Sequence, residues 1–500
     1  MKKLLSNLGR RISPDQMLAN SKKTGLKKTL TAFDLVILGV GAIIGTGIFS
    51  LAGEAIAGTV PAGPSFTLSI VLASFVCMFS ALSYAEFSSM LPIAGSAYTY
   101  TYTTLGEFAA WLMAWVLVLE YAIGNITVAK SWTHYLLNFL KGFTFLPPWM
   151  SDESIWIQQF HVGGIMIDLH IPAILLLVGI TACLYKGVQE SAKAAAIMVY
   201  VKLAVILMFI LVGACYVRPE NWSPFAPSGW DGICHGAFII TLAYIGFDAV
   251  STAAEETKNP QKDLPIGLLG SLAICAVLYA LVSAVLTGMM PWQLVDVGAP
   301  IPIALNYVHQ DWVAGFISLG ALTGMTSVLL VLQLGVTRIL FSVARDNFLP
   351  KSLTKIHPKF KTPYVITIVS GIFTMLGTLF LSLKNAATIS NVGAIIAFSV
   401  VSLCLIVMRY QDPDRHRPFR VPGCPWVPAV GILLSLYIVG KGIQDSPMVI
   451  PVFLAWMAMG IGIYFMYSYK RTSVNYLYKT EGAELLKEPE LVEAEVEVSK

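Results

Sequence analysis

Four groups of residues in this chain are of types that do chemistry, and each stands where apolar residues are the rule. "GVGAIIGTGIF" at 39–49 carries four glycines, and "TLAYIGFDAV" at 241–250 carries Gly246 and Asp248. Lys202 lies in "MVYVKLAVILMF" and Glu120 in "WVLVLEYAIG". Glycine is the poorest helix former short of proline, so the first two strings read as interruptions of helices. A break leaves unpaired N–H groups where a helix starts and unpaired carbonyls where one ends. The helix dipole makes the first end suited to an anion and the second to a cation. A lone lysine at mid-bilayer costs roughly 2.5–3.5 kcal/mol, so it must face protein or water and hold a partner. An amine in such a place can release its proton, which makes Lys202 a candidate proton carrier.

The elements around these groups are membrane spans. The chain has 500 residues, 56% hydrophobic and only 12% charged, a balance outside that of ordinary soluble proteins. The lysine-rich start shows no n-region, h-region and cleavage pattern, so the first apolar span reads as a retained anchor. The cysteines (Cys77, Cys183, Cys215, Cys234, Cys275, Cys404, Cys424) form no CxxC pair and have no histidine at metal-ligand spacing, so neither disulfides nor a metal is expected. No phosphate loop and no HExxH appear, and no cofactor is expected.

Apolar runs of about 20 residues define twelve expected spans, starting near residues 32, 63, 107, 171, 192, 235, 265, 312, 363, 387, 427 and 447. With the N-terminus inside, only Lys141, Arg218, Lys384 and Lys441 of the 33 lysines and arginines fall outside, and Lys130 and Lys202 fall in the membrane. The positive-inside rule then puts both termini in the cytoplasm. The expected division is a cytoplasmic segment 1–30, a first unit 31–220, a second 235–410, an accessory pair 425–467 and a disordered acidic tail 470–500. Matched breaks in spans 1 and 6 point to two five-helix units, and an odd number of crossings makes them inverted repeats. The fold expected is therefore all-α and polytopic.

Span 1 runs outward, so its second half presents N–H groups around Gly45 to Ile48, suited to a carboxylate. Span 6 runs inward, and its first half ends near Leu242 to Ile245 with carbonyls, suited to an ammonium. Together these ends match an amino acid zwitterion, with glycine letting the ligand approach the backbone. The competing reading is packing, since Gly41 and Gly45 form GxxxG.

"GAIIGTGIF", "AYIGFDAVSTAAEETKNPQKDLPIG", "TRILFSVARDNFLP" and "RPFRVPGCPWVP" resemble the amino acid, polyamine and organocation transporter superfamily, in its bacterial cationic amino acid transporter-like branch. The likeness covers about residues 25–467. It implies ten helices in two inverted repeats plus two more, and alternating access of one amino acid and a coupling ion. It further implies that the substrate carboxylate meets backbone at Ile43, Gly45, Thr46 and Gly47, and the ammonium the carbonyls of Leu242, Ala243 and Ile245. In its proton-coupled members a lysine on helix 5 stands where sodium-coupled relatives hold their cation. Lys202 matches that lysine, with carbonyls of the span 1 break and Thr326 or Ser327 as its expected neighbours.

Glu120 is an acid at depth that could meet a cationic side chain or act in packing. Asp248 is expected to stabilise backbone N–H groups freed by the span 6 break. Ile245, Met325 and Leu332 are candidates for the side-chain pocket, with helix packing as the alternative. Lys130 is expected to snorkel, Tyr98, Tyr100 and Tyr102 to form an interfacial belt, and Glu255 or Arg345 to help close an inner gate. The function expected is proton-coupled uptake of a small neutral amino acid such as alanine, or of a cationic one, across the plasma membrane. Partners are the substrate, the proton and lipids, and no nucleic acid. Sodium-coupled symport, exchange and a membrane amino acid sensor stay open as alternatives.

Overall fold

Thr31 opens the first helix of the computed structural model, which describes residues 10–15, 18, 28–93, 95–142, 146–163, 165–187, 192–444 and 447–471. Its hydroxyl accepts from the Asp34 amide while the Asp34 carboxylate accepts from the Thr31 N–H at 2.9 Å, a reciprocal cap. Helix α1 (Ala32–Ile43) stops at Ile44, whose backbone is extended. The chain resumes in a π turn at Gly47–Leu51 and α2 (Ala52–Ala57), bent by 41° from α1. Then come α3 (Phe66–Met90), the short α4 (Ser96–Thr104) and the long α5 (Glu107–Lys141). A hairpin of β1 (Ile157–Val162) and β2 (Ile165–His170) leads into α6 (Ile171–Lys186) and α7 (Ala192–Ala214).

The second half begins with α8 (Gly229–Thr241) and continues through α9 (Pro260–Met289), α10 (Pro300–Tyr307), α11 (Asp311–Arg345), α12 (Tyr364–Phe380) and α13 (Leu383–Gln411). It closes with α14 (Trp426–Ile443) and α15 (Val449–Met466). Among the described residues nine helices are long and apolar enough to cross a bilayer, ten if the bent pair α1 and α2 is one span. The apolar α6 and α12, of 16 and 17 residues, are shorter. Exposed leucines such as Leu175, Leu211, Leu433 and Leu454 give the outside an apolar surface of the kind lipid covers. Inside, α5 packs on α11 and α13, and α9 on α1 and α3.

Three expectations need correction. The antiparallel hairpin, with Ile157 opposite His170, departs from an all-helical chain. The tyrosines of α4 form no interfacial belt: Tyr98, Tyr100 and Tyr102 are buried, and the Tyr98 hydroxyl donates to Asp346 at 2.6 Å. Lys130 does not snorkel either. Its amine is fully buried and donates to Asp168 of β2 at 2.6 Å, because the hairpin folds back and brings a carboxylate to it. The disorder expected of the tail falls beyond Arg471, outside the described residues.

Burial opposes the Asp168 charge, but hydrogen bonds from His170 and Lys130 outweigh it and hold the carboxyl well below the usual aspartate range. A depressed carboxyl stabilises the fold fully above its unfolded pKa, near 4, and that contribution is lost only as pH falls below it. Lys130→Met leaves Asp168 buried without its counter-charge and is expected to cost roughly 3–5 kcal/mol. Thermal melting of the purified protein checks this, and Lys130→Met with Asp168→Asn should recover most of the loss.

The string "RPFRVPGCPWVP" also has a physical role. Glu86 of α3 is fully buried and receives two hydrogen bonds from Arg409, at 2.8 and 2.6 Å, and the Val421 amide at 2.7 Å. Arg417 approaches the same carboxylate to 3.2 Å. The loop after α13 is thereby pinned to α3.

Candidate functional site

The two interruptions lie against each other. A Cβ placed on Gly47 would fall on Ala243, and one on Gly246 would stand 2.8 Å from the Ala42 carbonyl. Gly246 has φ +113°, a conformation that side chains disfavour, so glycine is required there for the turn as well as for the close approach. On the second segment α8 gives way to a 3-10 turn at Leu242–Tyr244, and Ile245 is extended (ψ 135°) before a short helical turn at Ala249–Thr252. Both segments are therefore interrupted at the strings singled out in the sequence.

The last carbonyls of α1 have lost their intrahelical partners, and their replacements explain much of the site. The Val40 carbonyl keeps the Ile44 amide at 2.9 Å. The Gly41 carbonyl accepts from the Lys202 amine at 2.8 Å. The Ile43 carbonyl accepts from Tyr279 of α9 at 3.0 Å, and the same hydroxyl lies 3.3 Å from the Ala243 carbonyl. Tyr279 thus ties the end of α1 to the break after α8. The sequence reading passed over it; the available signal was a tyrosine inside an apolar span, whose hydroxyl needs a partner once buried.

Beyond the break, the N–H groups of Gly45, Thr46 and Gly47 open the second half of the span, the position that favours an anion. That half is itself held by three anchors. Tyr135 donates to the Phe49 carbonyl, Ser50 donates to the Gly298 carbonyl at 2.9 Å, and Gly53 abuts the backbone at Asp296. On the opposite segment, the Leu242 carbonyl accepts from the Ile245 amide at 3.2 Å. Ala243 and Ile245 are buried.

Lys202 is fully buried, and its alkyl chain crosses α11 at Gly324, where a Cβ would stand 3.1 Å from two of its carbons. The expected neighbours on α11 fare unevenly. Thr326 donates to the Leu322 carbonyl and accepts from Trp132 at 3.1 Å, so its hydroxyl is tied to α5; Ser327 is buried next to it. Gly324→Val is expected to push the lysine chain aside and separate the amine from Gly41. The check is the melting temperature, which should fall because the crowded, buried amine loses an acceptor.

Of the candidate pocket residues, Leu332 lies 3.6 Å from where Gly124 would carry a Cβ. Val328, which the sequence reading did not name, stands against Gly45, 3.0 Å from the corresponding position. Met325 is buried one turn earlier on α11. Glu120 is 1% exposed, and neither carboxylate oxygen has a hydrogen-bond partner among the described residues. It lies within electrostatic reach of Asp248. Asp248 accepts from Tyr121 at 2.6 Å and sits among the amides of Gly246, Asp248 and Ala249, which fits a role in supporting the turn.

This arrangement can hold opposite charges at a short separation, with apolar side chains beside them and a buried amine behind. Residues 30–467 match the sequence profile of a family described as amino acid permease. The chain is 44% identical over 462 residues to the branched-chain amino acid permease BcaP of Bacillus subtilis, covering 92% of this chain and 97% of the relative. It is 42% identical over 473 residues to the methylthioribose transporter of the same organism, covering 94% and 100%. It is 38% identical over 401 residues to the chloroplastic cationic amino acid transporter 9 of Arabidopsis thaliana, covering 79% and 69%.

Proposed function

Since the chain belongs to the amino acid permease family, we propose that it imports a small neutral amino acid with an aliphatic side chain, by proton-coupled symport with alternating access. The substrate carboxylate sits on the N–H groups of Gly45, Thr46 and Gly47, and its ammonium faces the carbonyls of Leu242, Ala243 and Ile245. Ile43 completes the site through the carbonyl that Tyr279 engages. Val328, Leu332 and Ile245 border the side chain. Lys202 carries the coupling proton: protonated, it holds the Gly41 carbonyl and with it the inner half of the span. Twelve spans in two inverted five-helix repeats with an accessory pair, a plasma-membrane location and cytoplasmic termini belong to this reading. Its strongest support is that the two interrupted segments adjoin each other, Gly47 against Ala243.

An aliphatic substrate is favoured over a cationic one because the α11 side chains beside the break, Met325, Val328 and Leu332, are apolar. The branched-chain permease among the relatives points the same way. Methylthioribose, the cargo named for another relative, has neither an ammonium nor a carboxylate for these helix ends. Proteoliposomes under imposed proton or sodium gradients, with radiolabelled isoleucine, alanine, lysine and methylthioribose, test the reading. Isoleucine or alanine accumulation driven by protons alone is expected, and sodium-only drive or methylthioribose accumulation would overturn it.

Tyr279→Phe removes the hydroxyl that joins the two interrupted segments. A lost hydrogen bond of about 1.4 kcal/mol is expected to weaken isoleucine binding about tenfold. Isothermal titration of the purified variant measures it.

A further inference from the structure

Between α11 and α12 the chain runs "KSLTKIHPKFK", residues 351–361, in which Lys351, Lys355, Lys359 and Lys361 are all exposed. The sequence holds no aspartate or glutamate from 347 to 411. Lys186, at the end of α6, is exposed as well. The ion pairs made by lysines among the described residues involve none of these five. Positive charge is therefore gathered here without a counter-charge from the protein.

The loop that carries it is folded. The His357 amide donates to the Thr362 carbonyl at 2.8 Å, and the Lys361 amide to the His357 carbonyl at 2.9 Å. His357 Nδ1 accepts from the amides of Lys359 and Phe360, each at 3.2 Å. The Thr362 hydroxyl donates to the Tyr185 carbonyl at 2.8 Å, and the Tyr185 ring packs edge-on against those of His357, Phe360 and Tyr364. Lys359 and Lys361 are thus held beside Lys186, where α6 ends and α12 begins.

Below this rim α6 and α12 pack together, with Gly371 against Thr181. Their outer faces leave Val178, Ile368, Val369 and Ile372 exposed. Ile356, among the lysines, is 54% exposed. An uncovered apolar face that ends in a rim of unpaired lysines has the chemical profile of one phospholipid: acyl chains below and a phosphate above. Clustered lysines next to a span attract anionic headgroups, each adding to the binding, whereas a zwitterionic headgroup brings no net charge.

We propose that the lysines of loop 351–361 and Lys186 bind the phosphate headgroup of an anionic phospholipid whose acyl chains lie along the exposed faces of α6 and α12. The lipid supplies the counter-charge that the protein withholds, and it fixes the ends of these two helices at the bilayer surface. The inference is independent of what the central site carries, and its test involves no transport.

Native mass spectrometry of the purified full-length protein in detergent, titrated with dioleoylphosphatidylglycerol or dioleoylphosphatidylcholine, tests it. Wild type is expected to bind phosphatidylglycerol in preference to phosphatidylcholine. In the variant that combines Lys355→Gln, Lys359→Gln and Lys361→Gln, the apparent Kd for phosphatidylglycerol should rise roughly a hundredfold, about fivefold for each lysine. That for phosphatidylcholine should stay within about twofold. The matching variant with Lys355→Arg, Lys359→Arg and Lys361→Arg keeps the charge and should bind as wild type does, and melting curves confirm that both variants fold. An unchanged preference in the glutamine variant overturns the proposal. Loss of the preference in the arginine variant overturns it too, since charge would then not be the cause. Glycerol 1-phosphate in tenfold excess carries the same phosphate without chains and should not displace the lipid; displacement would assign the lysines to a soluble phosphate ester and overturn the lipid.

Discussion

Lys202→Ala is expected to abolish proton-driven accumulation while leaving exchange across the membrane measurable. A potential of 100 mV is worth about 2.3 kcal/mol per charge moved, so one coupled proton supports roughly 50-fold accumulation of a neutral amino acid. Without an amine to carry the proton, the internal concentration should rise only to that outside. The lysine is fully buried and its donor is aimed at the Gly41 carbonyl, one of the acceptors that the end of α1 leaves over. On the proposed mechanism, protonation holds α1 at its end and release lets it go, which would tie proton movement to the conformation of the site. Counterflow of radiolabelled isoleucine separates lost coupling from lost folding. Proton-driven accumulation by Lys202→Ala at the wild-type level would remove the lysine from the mechanism.

Gly47→Val is expected to weaken isoleucine binding at least a hundredfold, about 2.8 kcal/mol. Even a single carbon at this position would fall on Ala243, and the larger side chain would also cover the N–H groups assigned to the carboxylate. Overpacking alone costs roughly 1–3 kcal/mol of stability, so the melting temperature must be followed alongside. Gly440→Val is the control, since no atom lies within 4 Å of its added Cβ. If Gly47 served only helix packing, stability would fall and the affinity of the folded fraction would stay at the wild-type value.

The interruptions were legible because local physics decides them. Gly45 and Gly47, and Gly246 beside Asp248, fall at the breaks, whereas Gly39 and Gly41 stay within α1. Lys202 was legible for a related reason: a charge in an apolar run needs a partner. The identity of that partner was legible only coarsely, as a carbonyl of the first break, because Gly41 becomes an acceptor only once α1 stops at Ile43.

What sequence could not disclose depends on distant segments meeting. Tyr279 and Val328 look like ordinary members of apolar spans until the fold brings one to Ile43 and the other to Gly45. Lys130 looked like a snorkelling residue because Asp168, in a hairpin not anticipated, supplies the counter-charge from 38 positions away. The tyrosines of α4 have the composition of an interfacial belt, but a nine-residue helix enclosed by protein has no lipid to face.

The most direct test is an experimental structure of the protein in lipid nanodiscs with saturating isoleucine. The account expects the carboxylate within hydrogen-bond distance of the Gly45, Thr46 and Gly47 amides and the ammonium facing the carbonyls of Leu242, Ala243 and Ile245. Isoleucine bound with its polar ends away from both interrupted segments, or both segments wound into continuous helices around it, would contradict the account.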